Sequence, residues 1–253
     1  MNKNIVFIHG FMNTGDIWNQ WITLFKSLGY TCYAPTWINH SKQDSEDIKA
    51  ATSFEDVLLQ YVHFIDSLDT KPILIGHSLG GIIVQKLINM DKGAAGITIA
   101  SGPANNIAAF NLDWLISNLK MLGPFSKDPI LMDKNWYNKY VTNELSMSDT
   151  EKFMKANCIR SSKLIPKTIN RDGHIDFNKE HAPLLFISGD RDKSQPPIIQ
   201  LKNVKAYSNA NGIVDYHVFN GKTHNIVAQN GWQEVAMFIN SWIDSLNIFK
   251  SKS

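Results

Sequence analysis

The chain turns on the stretch Ile73-Leu74-Ile75-Gly76-His77-Ser78-Leu79-Gly80-Gly81, with the largely apolar run Ile82 to Ile88 behind it. The apolar run at 73–75 suits a strand buried on both faces, and the run at 82–88 suits a helix. Between them stands G-x-S-x-G, and its strand–turn–helix setting presents the serine at a sharp turn. The turn needs its glycines: a side chain at 76 or 80 would collide with neighbouring chain, while Ser78 takes a strained backbone state. The following helix aims its N-terminal amides at the point where negative charge would develop. Ser78 is therefore the candidate nucleophile.

Outward from this stretch, other apolar runs have the same character. Ile5 to Ile8, Thr31 to Trp37, Pro72 to Gly76, Gly96 to Ala100, Pro183 to Gly189 and, less purely, Asp215 to Gly221 read as strands. Helical periodicity falls between them. Phe54, Val57, Leu58, Tyr61, Val62, Ile65 and Leu68 form one stripe, opened by a capping box at Ser53 with Asp56 or Thr52 with Glu55. Trp232, Val235, Ala236, Ile239, Trp242, Ile243 and Leu246 form another. The alternation predicts right-handed βαβ units and an open α/β sheet flanked by helices. Residues 102–182 break the rhythm. They offer no buried strand but carry helical patches such as Leu112, Leu115, Ile116 and Leu119. This part reads as a helical insertion into one core domain made of residues 1–101 and 183–253.

A serine at its free pKa needs a base. Of the eight histidines, His224 is the candidate, because Gly221-Lys222-Thr223-His224 follows a strand late in the chain. In open α/β sheets the carboxyl ends of strands hold the site, and the order for this motif is serine, acid, histidine. His217 lies inside a strand, and His63 lies on a helix with no partner signal. His9 and His77 read as packing residues. The acid would orient the imidazole, and Asp190 or Asp192 after the strand ending at Gly189 would serve; spacing does not separate them. Acyl transfer also needs backbone N–H donors for an oxyanion. Leu79 offers one, and the loop after the first strand offers another, with Gly10 allowing close approach.

The 253 residues carry 25 Lys and Arg against 23 Asp and Glu, a net charge of +2. That balance argues against a dedicated nucleic-acid binder, and the tail lysines Lys250 and Lys252 read as a solubilising end. The hydrophobic share of 43% is too high for disorder. Cys32 and Cys158 lack zinc-site spacing and read as reduced thiols. No signal-peptide core or 18-residue apolar run stands out, so a cytoplasmic protein without stable membrane insertion is expected.

Four segments together resemble the α/β-hydrolase superfamily: Ile8-His9-Gly10-Phe11 with Trp18 downstream, the Gly-His-Ser-Leu-Gly-Gly run at 76–81, Gly189-Asp190-Arg191-Asp192 with Pro196-Pro197, and Gly221-Lys222-Thr223-His224. Within it they are similar to small serine esterases, lipases and cofactor-free haloperoxidase-like proteins. The match covers the chain outside the insertion. The resemblance implies Asp192 as the acid, with Asp190 as fallback, because the family usually uses the second Asp of a Gly-x-x-Asp turn. It implies the Phe11 and Leu79 amides as oxyanion hole, and residues 102–182 as a helical cap that covers the pocket. The chain begins almost at the strand bearing His9, so a compact sheet of about six mainly parallel strands is expected. Thr36-Trp37-Ile38-Asn39-His40 stands where relatives often have a Pro-Gly-His turn.

The expected function is serine carboxylic-ester hydrolysis through an acyl-enzyme on Ser78, acting on a small or medium apolar acyl substrate with no metal or organic cofactor. Phe110, Trp114, Leu115, Met121, Phe125 and Trp136 would either line an apolar acyl pocket or glue the insertion to the core. The same side chains would serve a lactone, thioester or amide hydrolase, an acyltransferase or a perhydrolase. A hydrolase-fold ligand receptor is the alternative outside enzymes, and docking of the cap on membranes is a further possibility. A haloalkane dehalogenase is disfavoured, since it would carry Asp in place of Ser78. A monomer or homodimer is expected.

Overall fold

Side chains that alternate along the strands sort into two apolar layers, one on each face of a single sheet. The computed structural model describes residues 3–104, 107, 112–122, 128–208 and 211–248, with the backbone alone at 113 and 119–122. The strands are β1 (Asn4–Ile8), β2 (Thr31–Tyr33), β3 (Ile73–His77), β4 (Ala95–Ile99), β5 (Leu184–Gly189) and β6 (Val214–Phe219). Their order is β2-β1-β3-β4-β5-β6, and every neighbouring pair is parallel. This is the open parallel sheet that the apolar runs predict.

The helices are α1 (Asn19–Ser27), α2 (Glu46–Ala51), α3 (Phe54–Asp66), α4 (Leu79–Asn89), α5 (Leu112–Leu122), α6 (Lys134–Tyr140), α7 (Met147–Asn157), α8 (Leu164–Asp172), α9 (Pro197–Ala206) and α10 (Trp232–Ser245). Ile5, Phe7, Ile73, Ile75, Leu185 and Ile187 pack in one layer with Trp21 and Phe25 of α1 and Val235 and Ile239 of α10. Val6, Ile8, Leu74, Leu184 and Phe186 pack in the other with Val57 and Tyr61 of α3 and Val84 and Leu87 of α4. Period-2 alternation on strands sheathed on both sides leaves no polar face, which is why the inner strands β1, β3, β4 and β5 read as apolar runs, while the edge strand β6 carries Asp215 and His217. Each fully buried large side chain contributes about 1.5–3 kcal/mol.

Ser53 and Asp56 make the capping box of α3: Asp56 N–H donates to Ser53 Oγ at 3.2 Å, and Ser53 N–H to Asp56 Oδ2 at 2.8 Å. The run expected to continue to Trp37 leaves the sheet after Tyr33, just before Pro35, which has no N–H for the ladder. Four helices, α5 to α8, lie between β4 and β5, with no named strand there among the described residues. α8 is tied to the core through the Phe54 N–H, which donates to Thr168 Oγ1 at 3.0 Å.

The apolar stripe noted on α5 faces outward: Leu112, Leu115 and Ile116 are exposed. Trp136 Nε1 instead donates to the Ser117 carbonyl at 3.1 Å, and Ser117 and Asn118 are buried. The side chain of Leu119 and the tail lysines Lys250 and Lys252 lie outside the described residues.

The chain runs from β1 outward to β2 and then back across to β3. Strand order reverses at β1 and β3, so a crevice opens at their carboxyl ends. The site lies there.

Candidate active site

Ser78 ends β3 and begins α4, at φ 55° and ψ −120°. That is the left-handed side of backbone space, which costs a non-glycine residue about 1–3 kcal/mol. Surrounding close contacts hold it. A Cβ on Gly76 would run into the Gly80 carbonyl, and one on Gly80 would run into the carbonyls of Ile8 and His9. The Ser78 N–H is bonded to the Ile99 carbonyl of β4 at 2.9 Å. The two glycines thus let β1, β3 and α4 meet closely enough to project the serine.

His224 stands on the loop after β6, and its Nε2 lies 3.0 Å from Ser78 Oγ. Its Nδ1 lies 2.8 Å from Asp192 Oδ2. The other oxygen of Asp192, Oδ1, accepts the N–H groups of Ser194 at 2.8 Å and Gln195 at 2.7 Å. Asp192 is buried, while Asp190 is exposed and has no bond to the imidazole among the described residues. The carboxylate therefore favours the His224 tautomer with N–H on Nδ1, which leaves the lone pair of Nε2 facing the Ser78 hydroxyl. Beneath it, His77 Nε2–H donates to the His224 carbonyl at 2.8 Å. Burial pushes His77 down to about 3, so it stays neutral, and it holds the loop of His224 from below.

The loop after β1 lies directly across from the serine: a Cβ on Gly10 would come within 3.0 Å of Ser78 Cβ. His9 braces this loop. Its Nε2 accepts the Trp37 N–H at 3.1 Å, and its Nδ1–H donates to the Gly10 carbonyl at 2.9 Å. Complete burial, with His40 nearby, holds its pKa well below the usual imidazole range. The segment at 36–40 therefore belongs to the support of this loop, with Trp37 stacked on His9 at 4.4 Å. Further along, the Met12 N–H donates to Ser161 Oγ at 2.8 Å, and Ser161 Oγ lies 3.1 Å from His40 Nε2. Among the described residues, the N–H groups of Phe11 and Leu79 have no protein acceptor.

Above these groups opens a cavity of about 390 Å³. Ser78, Leu79, Phe11 and His224 line its floor, and Trp114, Trp136, Tyr137, Val141, Pro166 and Ile169 line it from the insertion. No Asp, Glu, Lys or Arg stands among the described lining residues. Of the six apolar residues singled out in the insertion, Trp114 and Trp136 line the cavity. Leu115 is 52% exposed and does not. Phe110, Phe125 and the side chain of Met121 lie outside the described residues.

Sequence reasoning missed the groups that hold the wall at 101–104. Asn203 of α9 donates from Nδ2 to the Gly102 carbonyl at 3.0 Å and accepts the Ala104 N–H at 2.9 Å. Gln200 Nε2 donates to the Ser101 carbonyl. α9 buries polar side chains, so it carries no apolar stripe to read. Cys32 and Cys158 are buried and unbridged. Among the described residues, no cluster of three or more His, Cys, Asp or Glu could hold a metal ion. None of the described helices is long and apolar enough to cross a membrane.

A parallel α/β sheet that presents a strained serine at a strand's carboxyl end, with an imidazole and a carboxylate in line behind it, is the architecture built on the nucleophile elbow. The chain belongs to the alpha/beta hydrolase family, whose model matches residues 5–237. A search of curated proteins by sequence finds no match. Solved structures match closely in fold. The polyneuridine aldehyde esterase structure superposes with a TM-score of 0.72 at 17% identity, covering 95% of this chain and 99% of that one. The Paleococcus ferrophilus monoacylglycerol lipase does so with a TM-score of 0.71 at 20% identity, covering 96% and 94%. Tomato methylketone synthase I complexed with 2-tridecanone gives a TM-score of 0.74 at 14% identity, covering 97% and 99%.

Proposed function

We propose that this protein is a serine hydrolase that cleaves a carboxylic ester of a small or medium apolar acyl group through an acyl-enzyme on Ser78. One observation carries the reading: the unbroken hydrogen-bonded line Asp192–His224–Ser78, with links of 2.8 and 3.0 Å, at the floor of an apolar cavity. The esterase and lipase among the structural neighbours are in keeping with it.

His224 Nε2 takes the proton of Ser78 Oγ as the oxygen attacks the acyl carbon. Asp192 stabilises the imidazolium that forms. The N–H groups of Phe11 and Leu79 accommodate the oxyanion; their lack of an acceptor among the described residues and the position of Leu79 at the start of α4 support that role. The imidazolium then protonates the departing alkoxide. Water, with its proton taken by His224, then attacks the acyl carbon; the bond to Ser78 Oγ breaks, the imidazolium returns the proton to that oxygen, and the acid leaves. Residues 102–182 act as the cap: they supply Trp114, Trp136 and Tyr137 to the cavity wall, and the absence of charge among its described lining residues favours neutral acyl groups.

Ser78→Ala should lower kcat/KM for a short p-nitrophenyl ester by about a thousandfold or more, since members of such a unit act together. It should also abolish labelling by a fluorophosphonate. A variant that keeps near-wild-type turnover overturns the reading.

A further inference from the structure

The segment that follows α6 reaches both loops that carry the acid and the base. Asn143 Nδ2 donates to the Arg191 carbonyl at 3.2 Å, one residue before Asp192. The Val141 carbonyl accepts the Asn225 N–H at 3.1 Å. Glu144 reaches furthest: its Oε2 accepts from Thr223 Oγ1 at 2.8 Å, and its Oε1 accepts from Asn225 Nδ2 at 3.0 Å. Thr223 and Asn225 are the two neighbours of His224. The Thr223 N–H is taken by Gln229 Oε1 at 2.7 Å, and the charged carboxylate is the stronger acceptor for the remaining hydroxyl proton.

We propose that Glu144 is a positioning residue for the His224 base. One carboxylate grips the residues on either side of the imidazole, so the alignment of His224 between Ser78 and Asp192 is set by the insertion as well as by the core. Glu144 itself touches no reacting atom. The inference rests on the serine-hydrolase reading above. Its physical basis is that displacing a catalytic group by about 1 Å costs about a hundredfold in rate. Glu144 is an exposed residue, so replacing it opens no cavity and strands no buried charge of its own.

The test compares wild type, Glu144→Ala, Glu144→Gln, Thr223→Val and the double variant Glu144→Ala with Thr223→Val. The readouts are kcat and KM on a short p-nitrophenyl ester, the rate of fluorophosphonate labelling of Ser78, and the melting temperature. Glu144→Ala should lower kcat and the labelling rate by about tenfold or more, with KM within about twofold. Glu144→Gln should recover part of the loss, because its amide oxygen still accepts from Thr223 while its NH2 group replaces the acceptor for Asn225 Nδ2. Thr223→Val should fall by a similar factor, and the double variant should fall no further, as expected for two ends of one contact. Wild-type kcat and labelling in Glu144→Ala, or additive losses in the double variant, overturn the inference. So does a loss confined to KM or one that Glu144→Gln does not relieve. Ser78→Ala separates the two readings: an active Ser78→Ala overturns the serine hydrolase, whereas an inactive one beside a fully active Glu144→Ala overturns the role of Glu144 alone.

Discussion

At the scale of single residues, two aspartates two positions apart meet opposite fates. Asp192 turns inward, where three hydrogen-bond donors surround its carboxylate. Asp190 stays in solvent. Charge-assisted bonds of this kind are about twice as strong as neutral ones, and they hold a buried carboxylate that would otherwise be costly. With Asp192 as the acid, Asp192→Asn should lower kcat for a p-nitrophenyl ester by about a thousandfold or more, through loss of the correct tautomer of His224. Asp190→Asn should stay within about twofold of wild type. Equal losses in the two variants, measured in one steady-state assay, would remove the distinction.

At the scale of elements, the site depends on how closely three pieces of backbone approach. β1 and α4 meet where Gly80 has no side chain, and β3 meets α4 where Gly76 has none. Gly80→Ala would press a methyl against the carbonyls that end β1, displacing both Ser78 and the loop at 9–11. Overpacking of this kind costs about 1–3 kcal/mol. The expected result is a lower urea midpoint together with loss of fluorophosphonate labelling. Labelling at the wild-type rate would show that the turn tolerates the methyl. The insertion contributes differently. It binds the loop after β1 through Ser161 and meets the loop of His224 through Glu144. α5 turns Ser117 and Asn118 inward and Leu112, Leu115 and Ile116 outward, so hydrophobic spacing gives its existence but not its facing.

At the scale of the molecule, three buried histidines should make the fold acid-sensitive. Burial lowers His40 to about 4 and His77 to about 3, and it holds His9 well below the ordinary range. In the unfolded chain each titrates near about 6.5. Below that pH the unfolded chain takes up protons that the native state refuses, so stability is full above about 6.5 and is lost as pH falls toward 4 and then 3. At about 1.4 kcal/mol per pH unit, His40 and His77 each cost about 2–3 kcal/mol between pH 6.5 and 4.5, and His9 acts in the same direction. The melting temperature should therefore fall steeply over that window, and His40→Gln should make the fall shallower. An equal fall in wild type and His40→Gln, followed by calorimetry, would exclude His40 from the effect. Protonation would also cost the acceptor that His40 Nε2 offers Ser161, the residue that holds Met12.

The strands, the elbow at Ser78 and the loop of His224 are legible from neighbouring residues, because two-sided burial, steric room at a turn and helical periodicity are local demands. The six parallel strands follow from runs such as Ile73-Leu74-Ile75, and the serine from glycines two positions to either side. Three matters lie beyond that reach. Which of Asp190 and Asp192 meets the His224 imidazole depends on the turn after β5, where the Asp192 N–H bonds back to the Gly189 carbonyl at 3.2 Å and a Cβ on Gly189 would strike the Lys222 carbonyl. The inward faces of α5 and α9 depend on the polar partners that await them. The grip of Glu144 on Thr223 and Asn225 joins residues about 80 positions apart. Contacts of that kind leave no periodic trace along the chain; they exist only once packing has fixed which loops meet.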